Sequence, residues 1–387
     1  MTRPHTVQGY EDWPDALANG VFAPADPVAA RVAALLGVPQ PTPVTPRVVR
    51  RWDDGGPGDD PLVGTEIEWR TGFGPPTRAW VVRPREQGTL PGVLALHCHG
   101  GVKSVGGERL VRTDRPSPGA ERRRTEHYEG RALVNDLARR GHVVLVHDAF
   151  TWGSRRVRLD PEPWRLRAVM DVQRAAWAAA GHVPDDDEAY DVAAAHHEDA
   201  VAKVAGWIGT SFAGTVAHDD LVALDVLAAL PGVDAARLGV VGFSGGGGRA
   251  ATLTALDERV RASAVVCMMA TAASMTPAHV DAHSWLLATP GLAPALDLPD
   301  LAAARGTHHQ LVLSALDDPL FPRDGILAAH DRLEELFTGA TGTYEGALVP
   351  GGHVFTRAMQ EHLGTFLRET LGAPSARCQE ERRAAQE

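Results

Sequence analysis

The chain has 387 residues, 44% of them hydrophobic and 22% charged, a globular balance that excludes wholesale disorder. Its formal net charge of −11 excludes a general attraction to nucleic acid or to an anionic membrane surface. Cys98, Cys267 and Cys378 are too few and too scattered for a disulfide framework or a zinc site, and no apolar run reaches the roughly 18 residues of a transmembrane helix.

The first residues, with Glu11, Asp12 and Asp15, lack the apolar core of a secretory signal, so a cytoplasmic setting is expected. A helix is predicted after Asp26 as N-cap, with Pro27 in its first turn, Val28, Val32 and Leu35 on its apolar face and Gly37 as its stop. Short strand-like runs follow at residues 48–52, 65–70 and 78–82. From residue 92 the pattern becomes β–α alternation, with strands at 93–96, 143–146, 238–241, 264–268, 311–313 and 347–349. Helices are predicted at 122–140, 218–230, 246–255, 323–336 and 356–371. Apolar strands separated by helices predict a parallel sheet buried on both faces. Two stretches interrupt the alternation. Residues 151–215 carry two helix-like segments (164–180 and 188–208), and residues 271–306 are irregular. The expected organisation is an N-terminal extension with leading strands (1–85), a catalytic domain (86–371) with 151–215 as a helical cap, and a mobile tail (372–387).

The strongest signal is Gly242-Phe243-Ser244-Gly245-Gly246, which follows an apolar strand and opens a helix. That context defines a nucleophile elbow, in which a strained turn exposes the serine and small neighbours let strand and helix approach. An acid and then a histidine must follow in the chain. Asp318, before Pro-Leu-Phe-Pro on the loop after strand 311–313, is the first choice for the acid, with Asp317 the alternative. Of the later histidines, His330 and His362 fall in helical patterns. His353 lies on a Gly-Gly-His loop that can bring an imidazole to the serine. The oxyanion hole is expected from the N–H of Gly245 and from the loop His97-Cys98-His99-Gly100-Gly101, with His99 first and Gly100 or Gly101 second.

These segments, together with Asp148-Ala149-Phe150-Thr151-Trp152-Gly153, make residues 86–371 resemble the α/β-hydrolase superfamily. Within it the chain is similar to the acetyl xylan esterase and dienelactone hydrolase-like branch. The resemblance implies a mostly parallel eight-stranded sheet with helices on both faces. It also implies serine-dependent ester hydrolysis through an acyl-enzyme, without metal or organic cofactor. Dienelactone hydrolases proper use a cysteine; Ser244 stands at that position here, which fits simple esterase chemistry better.

The substrate pocket is expected to involve Gly101, Lys103, Trp152 and Trp285, with Lys103 either steering an acidic substrate or solvated. His279 and His283 would share a helix face lining the pocket if 277–288 is helical; they lack a third ligand for a metal. The pairs His196-His197 and His308-His309 read as surface or strand-end residues, and Arg122-Arg123-Arg124 as a solvated face. The expected partner is a small or medium ester, with no nucleic acid or membrane, and the N-terminal 85 residues leave a homo-oligomer open. Two other readings remain: an amidase, peptidase or C–C hydrolase with the same triad, or a binding protein on a hydrolase fold.

Overall fold

The structure, a computed structural model, describes residues 3–18, 20–54, 61–85 and 88–372. The predicted tail from residue 373 onward lies outside the described residues. Nine strands form one sheet among them: β1 (Arg47–Asp54), β2 (Leu62–Trp69), β3 (Thr77–Pro84), β4 (Leu90–Leu96), β5 (Val143–His147), β6 (Val233–Phe243), β7 (Val260–Val266), β8 (His309–Ala315) and β9 (Thr343–Val349). Their order is β1-β2-β3-β5-β4-β6-β7-β8-β9. Pairing is antiparallel from β1 to β5 and parallel from β5 through β9. The sheet therefore has nine strands, not the eight the resemblance implies. The additional strand is the outer member of the leading hairpin. β1 is mostly exposed and carries Arg47, Arg50 and Arg51, charges that blunt an open sheet edge. Through β3, which pairs with β5, the leading strands share the sheet of the later residues.

Alternation along the strands divides the core. Leu94 and Leu96 of β4 face one apolar layer with Val240 of β6. Val93 and Ala95 face the other, with Val241 and Phe243. The first layer is covered by α2 (Pro27–Leu36), α7 (Phe212–Ala229), α8 (Gly245–Leu256) and α9 (Arg323–Phe337). The second is covered by α3 (Pro118–Tyr128), α4 (Leu133–Arg139) and α10 (Arg357–Leu371). The first helix of the chain, α1 (Trp13–Ala18), was not anticipated. It is one and a half turns long, too short for a periodic signal, and is anchored by buried Trp13. The cap for α2 is as expected: Asp26 accepts from Ala29 N at 2.8 Å, and Gly37 closes the helix at φ 64°.

The single helix expected over 122–140 is two. Glu129 (φ 50°) and Gly130 (φ 76°) are left-handed and end α3 before α4 begins. The arginine run is also not wholly solvated. Arg124 is buried, and its guanidinium donates to the carbonyls of Arg109 and Val111. His197 and His308, each taken as surface or strand-end residues, are buried too. Residues 151–215 contain α5 (Trp164–Ala180) and α6 (Asp186–Trp207). Within 271–306, one-turn helices replace the continuous helix considered over 277–288. His279 precedes and His283 follows a short turn at Val280–Ala282, so they do not share a helix face. No helix among the described residues is long and apolar enough to cross a membrane.

Topology fixes where chemistry can sit. From β4 the chain crosses to β5 on one side, then returns to β6 on the other. The carboxyl ends of β4 and β6 are neighbours, with Leu96 opposite Gly242. Loops leaving these ends diverge and open a crevice at the strand-order reversal.

Candidate active site

Four loops at the carboxyl ends of the parallel strands converge in this crevice. Ser244 joins β6 to α8 in a backbone conformation of φ 55°, ψ −130°, which a non-glycine residue rarely adopts. The turn is held by Ser244 N donating to Val266 O at 2.8 Å and by Gly247 N donating to Ser244 O at 2.7 Å. Its neighbours must be small. A Cβ on Gly242 would lie 1.9 Å from Gly246 O, and one on Gly246 would lie 2.2 Å from Leu96 O.

The structure brings three of the predicted residues into a line. His353, after β9, places Nε2 2.8 Å from Ser244 Oγ and Nδ1 2.6 Å from Asp318 Oδ2. Asp318, after β8, is buried, and its other oxygen accepts from Leu320 N at 3.0 Å. A carboxylate only accepts, so Nδ1 carries the proton and Nε2 is left to accept from the serine hydroxyl. The His353 ring packs 4.8 Å from Phe243. Asp317 points elsewhere. Its side chain is 63% exposed and accepts from Gly351 N at 3.0 Å, tying the β8 and β9 loops together.

Facing Ser244 is the loop after β4. The His99 backbone N lies 3.2 Å from where a Gly245 Cβ would stand, so these two residues abut. The His99 N–H makes no hydrogen bond among the described residues. The Gly245 N–H, in the first turn of α8, has no intrahelical acceptor. Both donors are therefore free to serve an oxygen bound above Ser244. Gly100 and Gly101 are left-handed (φ 64° and 66°), and this tight curl sets the direction of the loop.

A cavity of about 340 Å³ opens over Ser244. Of the four predicted pocket residues, Gly101 lines it and Lys103, Trp152 and Trp285 do not. Lys103 turns inward, with Nζ 2.6 Å from Glu198 Oε2 and 3.6 Å from the centre of the Trp152 ring. Trp152 is buried beneath the loop, and Trp285 donates its indole N–H to Asp199 at 2.8 Å on the outer side of α6. The buried Lys103 cation and Trp152 indole are satisfied by Glu198 and by Val102 O, and the half-buried Trp285 by Asp199, none of which lines the cavity. Residues the sequence did not single out take their place: His127, Phe243, Met268, Leu286, Leu287 and Leu320. They come from five separate segments, so no local spacing could have marked them. No Asp, Glu, Lys or Arg lines the cavity among the described residues. Burial pushes His127 down to about 4, with the nearby Arg109 charge adding to the shift, so this ring is neutral at pH 7. No cluster of three or more metal-ligating side chains occurs among the described residues.

A parallel sheet flanked by helices, with a serine on the strand–helix turn, is the α/β-hydrolase fold. No family model matches the chain. A curated Bacillus subtilis (strain 168) protein named "Putative hydrolase YtaP" is 23% identical over 303 residues, covering 76% of this chain and 83% of that protein. Among solved structures, "Methylesterase BT1017" superposes with a TM-score of 0.53 at 21% identity, covering 92% of this chain and 68% of that one. The acetyl xylan esterase from Paenibacillus sp. R4 superposes with a TM-score of 0.52 at 18% identity, covering 93% and 99%. The two superposed structures show a shared fold over most of the chain.

Proposed function

We propose that the protein is a serine-dependent carboxylic-ester hydrolase acting on an uncharged small to medium ester. The observation that carries this reading is the hydrogen-bonded relay Asp318–His353–Ser244, at 2.6 and 2.8 Å, ending at a strained serine. In the proposed cycle Ser244 Oγ attacks the ester carbonyl carbon while His353 Nε2 takes its proton. Asp318 holds the ring in the required tautomer and stabilises the imidazolium. Negative charge develops on the carbonyl oxygen, where the N–H groups of Gly245 and His99 meet it. One such donor contributes on the order of 3 kcal/mol to the transition state. Collapse of the tetrahedral adduct breaks the bond to the alcohol, which leaves with the proton from His353. Water then attacks the acyl-serine with His353 again as base, releasing the acid and restoring Ser244.

The uncharged lining of the cavity supports a neutral ester, since no fixed countercharge is available for an ionised acyl or alcohol group beside the reacting carbon. The esterase names of proteins with the same fold support an ester over an amide as the bond cleaved. Ser244→Ala and His353→Ala are each expected to lower kcat by about 10⁴ or more without unfolding the protein. Full activity in either variant on an authentic substrate overturns the reading. A fluorophosphonate should label Ser244 in the wild-type protein and leave the alanine variant unlabelled. Paired assay of an aryl ester and the matching anilide separates ester from amide cleavage.

A further inference from the structure

Beside the relay lies a buried charged group that the proposed cycle does not use. Glu198 sits in the middle of α6, with its side chain only 8% exposed. Its Oε2 lies 3.0 Å from His99 Nε2 and 2.6 Å from Lys103 Nζ, and its Oε1 accepts from Trp285 N at 3.2 Å. One carboxylate thus joins three separate pieces: the loop after β4, the helical insertion, and the 271–306 segment that forms the opposite wall of the cavity. Lys103 is in turn held by Thr151 Oγ1 at 2.8 Å, and the backbone N–H groups of Lys103 and Ser104 both donate to Asp191, about two α6 turns before Glu198. So the α6 helix reaches the loop through two carboxylates.

The His99 ring is gripped at both ends. Gly101 N–H donates to His99 Nδ1 at 3.2 Å. Nδ1 must therefore be unprotonated, so Nε2 carries the proton and donates it to Glu198. The loop closes on its own imidazole, and the imidazole is anchored to the carboxylate. Burial pushes Glu198 up, but Lys103 and His99 beside it outweigh that and hold the carboxyl well below its ordinary value. Burial also lowers the His99 ring, which stays a neutral single donor.

We infer that Glu198 is a positioning residue for the oxyanion loop: by fixing the His99 ring it aims the His99 backbone N–H at the oxygen above Ser244. A preorganised donor is worth most when it needs no reorganisation as charge develops. The loop itself is glycine-rich and would otherwise sample several directions. Glu198 reaches the reacting atoms only through His99 and touches no substrate. The inference rests on the serine-hydrolase reading, which fluorophosphonate labelling of the wild-type protein tests separately.

Removing Glu198 alone would strand the buried Lys103 cation, so the test compares two charge-neutral pairs. Glu198→Gln/Lys103→Met keeps a carbonyl that can accept from His99; Glu198→Leu/Lys103→Met keeps none. With 4-nitrophenyl acetate, the Leu pair is expected to show kcat at least about tenfold below the Gln pair, with KM changed by less than about threefold. Affinity for a trifluoromethyl ketone, whose adduct places an oxyanion in the same site, should fall with kcat/KM. Equal kcat in the two pairs, or a loss confined to KM, overturns the inference. His99→Ala, which leaves the Glu198–Lys103 pair intact, decides the matter if the Leu pair does not fold. It should lose kcat to a similar extent, and kcat within about twofold of wild type would overturn the inference.

Discussion

Gly242 and Gly246 hold the Ser244 turn closed, because each stands where a methyl group would meet backbone and not a movable side chain. The obstacle is Gly246 O for the first and Leu96 O for the second. Neither strand nor helix can retreat without opening the packing between α8 and the sheet. Gly242→Ala and Gly246→Ala are therefore each expected to destabilise the protein by about 2–3 kcal/mol or more, read as a lower urea midpoint. Gly248→Ala is the control, since its added Cβ would meet only the flexible Met268 side chain, at 3.3 Å. The same local crowding explains why this part of the site was legible in the sequence. Strand, small residues, serine and helix are contiguous, and Gly-Gly-His marks its own loop. For the acid, the sequence favours Asp318 but leaves Asp317 as an alternative. They are adjacent, and only the direction of the loop sends one to His353 and the other to Gly351 N. Glu198 was not legible at all, because its meeting with His99 spans 99 residues and belongs to no local pattern.

The helical insertion is attached unevenly. α7 is buried along almost its whole length, whereas α5 buries only Leu166 and Met170, in a small cluster with Ala193 of α6. Trp164, Val172 and Val183 are left exposed on this hairpin. Few buried contacts mean a low local opening free energy. Amides of α5 are expected to exchange with solvent well before those of α7 and α8, and Met170→Ala should speed exchange in α5 while leaving α8 unchanged. Equal protection of α5 and α8 in hydrogen-exchange mass spectrometry would count against this picture. Both helices of the insertion were legible as helix-like segments, and Asp185, between them, caps α6 by accepting from Glu188 N at 2.8 Å. The break at Glu129–Gly130 was not. The segment around it is so polar that its periodicity carries little signal, and left-handed geometry at a glutamate has no sequence marker. The outer strand β1 was legible as a strand. Its place in the sheet, and hence the count of nine, depended on pairing that one sequence does not display.

Across the whole molecule, the −11 charge coexists with an interior rich in imidazole. Nine of the 17 histidines are held below their ordinary value, in each case chiefly because burial disfavours the charged ring. His308 and His330 are pushed down to about 4 and lie outside the lining of the cavity over Ser244, His308 against Phe337 of α9 and His330 on α9 bonded to Ser314 of β8. In the unfolded chain these rings titrate near 6.5. Between that value and about 4 the unfolded state binds more protons than the native state, so stability falls as pH falls. The contribution of each neutral buried ring is complete above about pH 6.5. By pH 5 each such ring withdraws on the order of 1–2 kcal/mol. The window is distinct from that of the surface carboxylates, which titrate lower. Moving from pH 7 to pH 5 should therefore cost the wild-type protein several degrees of Tm, before carboxylate protonation contributes. His308→Gln removes one titrating ring but keeps a side chain able to bond Gln310, the partner of His308 Nε2 at 3.1 Å. Its stability at pH 7 can drop, but its slope against pH between 5 and 6.5 should be shallower by up to about 1.4 kcal/mol per pH unit. Urea unfolding of both proteins across this range measures that slope directly, and identical slopes would show that His308 takes up no extra proton on unfolding.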